Sequence, residues 1–82
     1  MTRVAFYGRL VELAWREPRA LDLPADVTTV AALRAWLPSV APSLAGELGA
    51  TVRVALGDAI VGDDAAIAAD SDIAFLPPVS GG

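Results

Sequence analysis

The order of apolar patterns along the chain predicts an α+β fold of about five strands with one main helix packed across the sheet. Short stretches of alternating apolar residues occur near both ends of the 82-residue sequence, as is typical of strands with one buried face. Between them lies a single stripe at helical spacing, formed by Val30, Leu33 and Leu37. Two strands, a helix and three strands in one small domain favour an α+β arrangement.

The first part of the chain carries two predicted strands around a short helical segment. Residues 3–7 alternate between apolar and other side chains, which predicts the first strand. Residues 9–16 have leucines at helical spacing, so we expect a short helix or a helical turn, closed by Pro18. Residues 19–23 alternate again. We expect this second strand to pair antiparallel with the first.

The main helix is predicted over residues 30–37. Thr28 or Thr29 offers the N-cap side chain, and Pro38 is expected to terminate the helix because proline lacks a backbone N–H. Prolines, serines and glycines then predict a turn, followed by a loose helical segment over residues 42–48.

Three further strands are predicted in the last part of the chain. Residues 51–56 alternate, and Gly57-Asp58 predicts a turn that joins them to Ala59–Val61. The final strand is predicted over Asp72–Leu76.

The residue types that supply most catalytic and metal-binding chemistry are absent. The chain contains no Cys and no His, and its six basic residues are all arginine. It therefore offers no thiolate or imidazole nucleophile, no usual zinc ligand and no Schiff-base amine. We expect no metal site and no catalysis by its own side chains, and we interpret its aspartates as solvated turn residues.

The charge and hydropathy of the chain restrict its partners. A net charge of −4 and a pI near 4.4 predict no nucleic-acid partner, because phosphate contacts require a basic face; a partner with a basic docking site suits the chain better. No apolar run reaches the roughly eighteen residues that a membrane span needs, and the start does not resemble a signal peptide. We expect a cytoplasmic protein without membrane association.

Residues 75–82 read FLPPVSGG and carry the main clue to function. Pro77 and Pro78 prevent the last strand from continuing as paired sheet. Gly81 and Gly82 have no side chain and contribute nothing to a core. The diglycine is poor structural material, but it is a narrow strip of backbone ending in a carboxylate.

We therefore divide the chain into a folded domain, residues 1–76, and a flexible tail, residues 77–82, ending in Gly-Gly. From Pro78 onward the tail would reach roughly 16 Å if extended. A strip of this kind can thread into a narrow active site of another protein.

The tail, the segment VAFYGRLVEL at residues 4–13 and the segment TVAALR at residues 29–34 resemble the small subunit of molybdopterin synthase, the sulfur-carrier family MoaD. The resemblance extends over nearly the whole chain. It implies the ubiquitin-like β-grasp, a mixed sheet in which the first and last strands are parallel neighbours at the centre.

The resemblance also implies a function in molybdenum cofactor biosynthesis. An ATP-dependent activating enzyme would adenylate Gly82, and sulfur would replace AMP to leave a thiocarboxylate that donates sulfur to the cyclic pyranopterin precursor. The chain would be the non-catalytic subunit of the synthase, binding no cofactor itself, and ATP would belong to the activating enzyme. The residues expected to thread the tail into the large subunit are Pro77, Pro78, Val79, Ser80 and Gly81.

Three apolar side chains are predicted to form a docking face for the large subunit. Because successive side chains of a strand point to opposite faces, Tyr7 and Leu76 are predicted to face away from the core. Ile60 is expected to lie beside them on the same face. The alternative is that the 9–16 segment or Trp15 covers this pair. The resemblance implies that the face binds the large subunit, in a heterotetramer of two small and two large subunits.

Other functions remain open from the sequence. Carriers for thiazole or cysteine biosynthesis also end in Gly-Gly, although thiazole carriers usually lack the Pro-Pro-Val. A ubiquitin-like modifier would join the same activated glycine to target lysines. The last alternative is an inert binding module whose ending is incidental.

Overall fold

A five-stranded sheet in the order β2-β1-β5-β3-β4 forms the framework of the protein. The computed structural model describes residues 1–78. Its strands are β1 (Thr2–Phe6), β2 (Arg19–Leu21), β3 (Arg53–Leu56), β4 (Ala59–Val61) and β5 (Asp72–Leu76). Its helices are α1 (Leu10–Leu13) and α2 (Val30–Trp36), followed by 3₁₀ helices at Leu37–Ser39 and Pro42–Leu44.

The first and last strands are parallel neighbours at the centre of the sheet. The register places Val4 beside Ile73 and Phe6 beside Phe75. Strand β2 is antiparallel to β1, and β3 is antiparallel to both β5 and β4. The α+β class that the pattern predicts is confirmed, and so are the mixed sheet and the β-grasp topology that the family resemblance implies.

The core lies between one face of the sheet and α2. The alternating residues of β1 and β5 are buried there, and the rings of Phe6 and Phe75 stack with their centroids 5.3 Å apart. The predicted helical stripe of Val30, Leu33 and Leu37 is fully buried against them. The opposite side of the sheet, which we term the outer face, carries no helix among residues 1–78.

Helix α2 begins and ends close to the predicted positions. The hydroxyl of Thr29 accepts a hydrogen bond from the Ala32 N–H at 3.2 Å, so Thr29 is the N-cap. The α-helix ends at Trp36 with Leu37 as its C-cap, directly before Pro38. The chain then continues as the 3₁₀ helix Leu37–Ser39, where the missing N–H of Pro38 lies in the first turn and breaks no hydrogen bond. The predicted helix over 42–48 is wrong beyond Pro42–Leu44.

The observed strands β2 and β3 are shorter than predicted because their partners end. The last pair of β2 joins Leu21 to Thr2, the first residue of β1. Similarly, Arg53 pairs with Leu76, the last residue of β5. Residues 22–23 and 51–52 lie beyond these pairs, where the partner strand has ended.

Gly57 and Asp70 are two of the turn residues with left-handed backbone. Gly57 joins β3 to β4 with φ of 59°, and Asp70 precedes β5 with φ of 64°; glycine and aspartate adopt this region at lower cost than most residues. The Met1 amino group donates a 2.9 Å hydrogen bond to Asp70 and lowers the pKa of that carboxyl.

Within residues 1–78 no helix is long and apolar enough to cross a membrane.

Candidate functional site

The chain leaves the sheet at the end of β5, and this exit is the root of the predicted tail. Pro77 is half-buried and Pro78 is exposed, and neither belongs to a strand. This agrees with the absence of a proline N–H for the ladder. The tail positions Val79, Ser80, Gly81 and Gly82 lie outside the described residues, so their roles stay predictions.

Gly8 lies against the root of the tail. Its φ is 60°, and a Cβ built on it would lie 2.6 Å from Cγ of Pro77. In the sequence, Gly8 is simply the residue that follows the first predicted strand. A glycine after a strand gave no sign that it touches the other end of the chain.

A row of small side chains crosses the outer face of the sheet. Ala5 in β1 pairs with Ala74 in β5, and Ala74 pairs with Ala55 in β3. Ile60 in β4 continues the row beyond Ala55 and is 53% exposed. Paired residues point to the same face, so the three alanines form a shallow alanine trough that Ile60 borders.

A second row lies at the tail end of the outer face. The Tyr7 N–H donates to the Phe75 carbonyl at 3.2 Å, which holds Tyr7 beside Leu76. Tyr7 is 52% exposed and Leu76 is half-buried. Ile60 shares their face but lies two strands from Leu76, about 10 Å away.

Trp15 does not cover these side chains. It is buried in the core cluster, and its ring meets that of Phe6 edge to face at 5.1 Å. Phe6 points to the side opposite Tyr7, because adjacent strand residues face opposite ways. The docking role of Tyr7, Ile60 and Leu76 remains a prediction, although the structure places all three on one face.

The far end of the outer face is polar. Arg3 and Asp72 form an exposed ion pair with 3.8 Å between nitrogen and oxygen. A depression of about 220 Å³ lies between this pair and Tyr7, and its floor includes Ala5 and Ala74. The outer face therefore offers an apolar surface bordered by charges, which is the usual composition of a protein interface.

The described residues contain no candidate metal centre. In residues 1–78 no group of three or more His, Cys, Asp or Glu side chains is placed to hold a metal ion. The whole sequence lacks Cys and His. The structure presents an apolar sheet face beside the root of the tail.

The sequence profile of the ThiS family matches residues 4–82. Among solved structures, SAMP1 from Haloferax volcanii superposes with a TM-score of 0.82 at 24% identity, covering 99% of this chain and 98% of that one. A Pyrococcus furiosus protein provisionally described as molybdopterin converting factor, subunit 1, superposes with a TM-score of 0.80 at 21% identity, covering 95% and 97%. These likenesses show a shared fold. A search of curated protein sequences finds no significant match.

Proposed function

The chain belongs to the ThiS family, and from that premise we propose that it is a sulfur carrier, the small subunit of molybdopterin synthase. The observation that carries this proposal is that the family match runs from Val4 through Gly82 and so includes the diglycine. The likeness in fold to the P. furiosus molybdopterin converting factor subunit supports the choice of pathway.

The chemistry takes place at the carboxylate of Gly82. A terminal carboxyl has a reference pKa of about 3.3–3.7, so it is ionised at neutral pH and is a poor acyl donor. One of its oxygens attacks the α-phosphorus of ATP and expels pyrophosphate, which leaves an acyl adenylate. A persulfide sulfur then attacks the acyl carbon and expels AMP. A second thiol then attacks the donor's sulfur in the resulting acyl disulfide. The thiol and the donor are joined as a disulfide, and the thiocarboxylate is released.

The tail residues serve delivery. Gly81 keeps the strip narrow, Val79 and Ser80 fill the channel of the large subunit, and Pro77 and Pro78 direct the tail outward. The thiocarboxylate on Gly82 then passes its sulfur to the cyclic pyranopterin precursor. The carrier is not an enzyme by itself; it works in the cytoplasm, and ATP is bound by the activating enzyme.

The folded body supplies the docking affinity. Ordering tail backbone costs about 1–2 kcal/mol per residue, so contacts outside the tail have to offset this cost. Tyr7 and Leu76 lie beside the tail root, and the alanine trough accepts side chains of the large subunit. Ile60 extends the contact toward β4, in a heterotetramer of two small and two large subunits.

A second candidate is a ubiquitin-like protein modifier. The observation that favours it is the likeness in fold to SAMP1, whose full name is small archaeal modifier protein 1. In that function a lysine amine of a target attacks the same acyl adenylate, and an amide replaces the thiocarboxylate. Carriers for thiazole or cysteine biosynthesis share the activation step and differ in the acceptor of sulfur.

Intact mass measurement tests the proposal directly. The chain is incubated with ATP, a ThiS-family activating enzyme and a sulfur donor, and we expect a gain of about 16 Da confined to the C-terminal peptide. A variant lacking Gly82 and a variant with one residue added after it should gain no mass. Both should unfold at the same denaturant concentration as the parent, because glycine contributes nothing to the core.

The controls separate the alternatives. Omitting ATP should abolish the mass change. Addition of the purified large subunit and the pterin precursor should consume the thiocarboxylate if the pathway is correct. Lysine-linked conjugates with no thiocarboxylate would favour the modifier. Sulfur on any other peptide, or full synthase activity without Gly82, would defeat the proposal.

A further inference from the structure

The tail root rests on the residue that follows the first strand. Strands β1 and β5 run parallel, and the Tyr7 N–H bonds the Phe75 carbonyl. This bond continues the pairing by one residue and brings the next residues of both segments, Gly8 and Pro77, together. The contact joins opposite ends of the chain at the point where the sheet stops.

The Pro77 ring fills the space that a side chain on Gly8 would need. The three nearest atoms to a Cβ built on Gly8 are all from this ring: Cγ at 2.6 Å, Cδ at 3.5 Å and Cβ at 3.9 Å. A distance of 2.6 Å is too short for two carbon atoms that are not bonded. The ring is tied into the backbone and fixes φ, so it cannot rotate away as a flexible side chain would.

Two other glycines show that left-handed backbone alone does not produce this contact. Gly46 has φ of 78° and Gly57 has φ of 59°, and a Cβ on either would meet nothing within 4 Å. At those positions glycine is favoured by its φ alone. At Gly8 there are two requirements, the φ of 60° and the room for a proline ring.

We propose that Gly8 is a positioning residue for the tail: it forms a seat on which Pro77 rests, and the seat sets the direction in which residues 78–82 leave the body. This inference rests on the proposed function, because direction matters only if the tail has to enter another active site. Five residues span at most roughly 16 Å from the seat, so a change of direction at Pro77 moves the region that the end of the tail can reach.

The test compares alanine variants at two glycines that both have left-handed φ, 60° at Gly8 and 78° at Gly46. Gly8→Ala places a Cβ against the Pro77 ring, whereas Gly46→Ala places one in open space. Each is assayed at a temperature where it is fully folded, using the activating enzyme and ATP–pyrophosphate exchange with the carrier as the varied substrate. We expect Gly8→Ala to lower kcat by tenfold or more with little change in KM, since misplacing a reacting group by about 1 Å costs up to roughly a hundredfold. Gly46→Ala should keep both constants near those of the parent.

The double variant Gly8→Ala with Pro77→Ala tests the contact itself. Pro77→Ala removes Cγ, the atom that the new Cβ would strike. We expect the double variant to unfold at a higher urea concentration than additivity of the two single variants predicts. This measurement needs no enzyme and remains valid if Gly8→Ala alone is poorly folded.

The outcomes of this test separate the positioning role of Gly8 from the proposed carrier function on which it rests. If the parent chain is not adenylated, the proposed function fails and the positioning role fails with it. If the parent and Gly8→Ala are adenylated equally well, the function stands and the positioning role is overturned. Equal loss in Gly8→Ala and Gly46→Ala, or strict additivity in unfolding, would assign the effect to backbone strain and likewise overturn the seat.

Discussion

Trp15 illustrates what one buried polar atom does in a small core. Its side chain is 7% exposed, and its indole N–H donates a 2.9 Å hydrogen bond to the Val4 carbonyl. The Arg19 guanidinium lies 4.3 Å from the ring centroid on the solvent side, a cation–π contact. Trp15 therefore joins the segment after α1 to the central strand β1 and shields it from water.

We predict that Trp15→Phe destabilises the protein by about 1–3 kcal/mol, because phenylalanine fills much of the site but leaves the Val4 carbonyl without its donor. Urea unfolding monitored by circular dichroism measures the difference. Trp36→Phe is the matched control: Trp36 is half-buried, and within residues 1–78 its indole donates no hydrogen bond. Equal losses in the two variants would show that the hydrogen bond contributes nothing beyond ring size.

At the level of single residues, the sequence predicts which side chains are buried better than it predicts which residues contact one another. Val4, Phe6, Ile73 and Phe75 are buried, as the alternation in residues 3–7 and 72–76 indicates, because a period of two is a local property of a strand. The contact between Gly8 and Pro77 could not be predicted in the same way. It depends on which strands are neighbours, and glycine has no side chain whose character could indicate a partner.

Helix α2 stabilises segments that have little regular structure of their own. Arg34 projects from it and donates to the carbonyls of Leu48, Gly49 and Val52 at 3.3, 3.1 and 2.7 Å. It also donates to the Asp63 carboxylate at 2.9 Å. The Arg34 side chain is 14% exposed, so these bonds are partly shielded from water, and they fix the approach to β3 and the turn after β4.

We expect Arg34→Lys to cost about 2–3 kcal/mol, because an ammonium cannot reproduce the planar fork and leaves carbonyls without donors. Asp63→Asn is the control: it removes only the more exposed ion pair, which is worth about 0.2–1 kcal/mol. Urea unfolding measures the stability of each variant, and amide hydrogen exchange over residues 45–52 shows where protection is lost. An Arg34→Lys variant as stable as Asp63→Asn would refute this role.

Element boundaries were predictable only where the signal is local. The N-cap at Thr29 and the hairpin turn at Gly57 follow from residue type. The start of β3 at Arg53 depends on where β5 ends, which is a property of the partner strand. The Arg34 contacts were missed for the same reason, since a charged residue on a helix gives no indication of which carbonyls it reaches.

For the molecule as a whole, the apolar pattern predicted the order of elements and the antiparallel pairing of β1 with β2 and of β3 with β4, but not which strands meet at the centre of the sheet. The parallel pairing of β1 with β5 was expected from the resemblance of residues 4–13 and 75–82 to a known family. No local period indicates that the first and last strands meet. That pairing is what puts Tyr7, Leu76 and the tail root together, so the candidate site follows from topology more than from any single motif.

The outer face then makes a prediction about assembly. Leu76→Asp should weaken binding to the molybdopterin synthase large subunit by about 2–4 kcal/mol, because a charge in a desolvated interface core is costly. The fold should persist, since Leu76 is only half-buried and Arg53 lies opposite it on β3. Ile60→Asp should cost less, because Ile60 lies about 10 Å from Leu76. Val40→Asp is the control, an equally large change at an apolar residue that is 44% exposed and follows the helices on the other side of the sheet.

Calorimetric titration of each variant with the large subunit gives the affinity, and mass measurement of the complex gives the stoichiometry, expected as two copies of each subunit. Circular dichroism and urea unfolding confirm that each variant is folded before it is titrated. If the loss of affinity is largest for Leu76→Asp, smaller for Ile60→Asp and smallest for Val40→Asp, the centre of the interface lies beside the tail root. Docking there would hold Gly82 close to the active site of the partner. If Leu76→Asp binds as tightly as the parent, the outer face is not the docking surface. Tail insertion alone would then have to supply the affinity, against an ordering cost of about 1–2 kcal/mol for every tail residue.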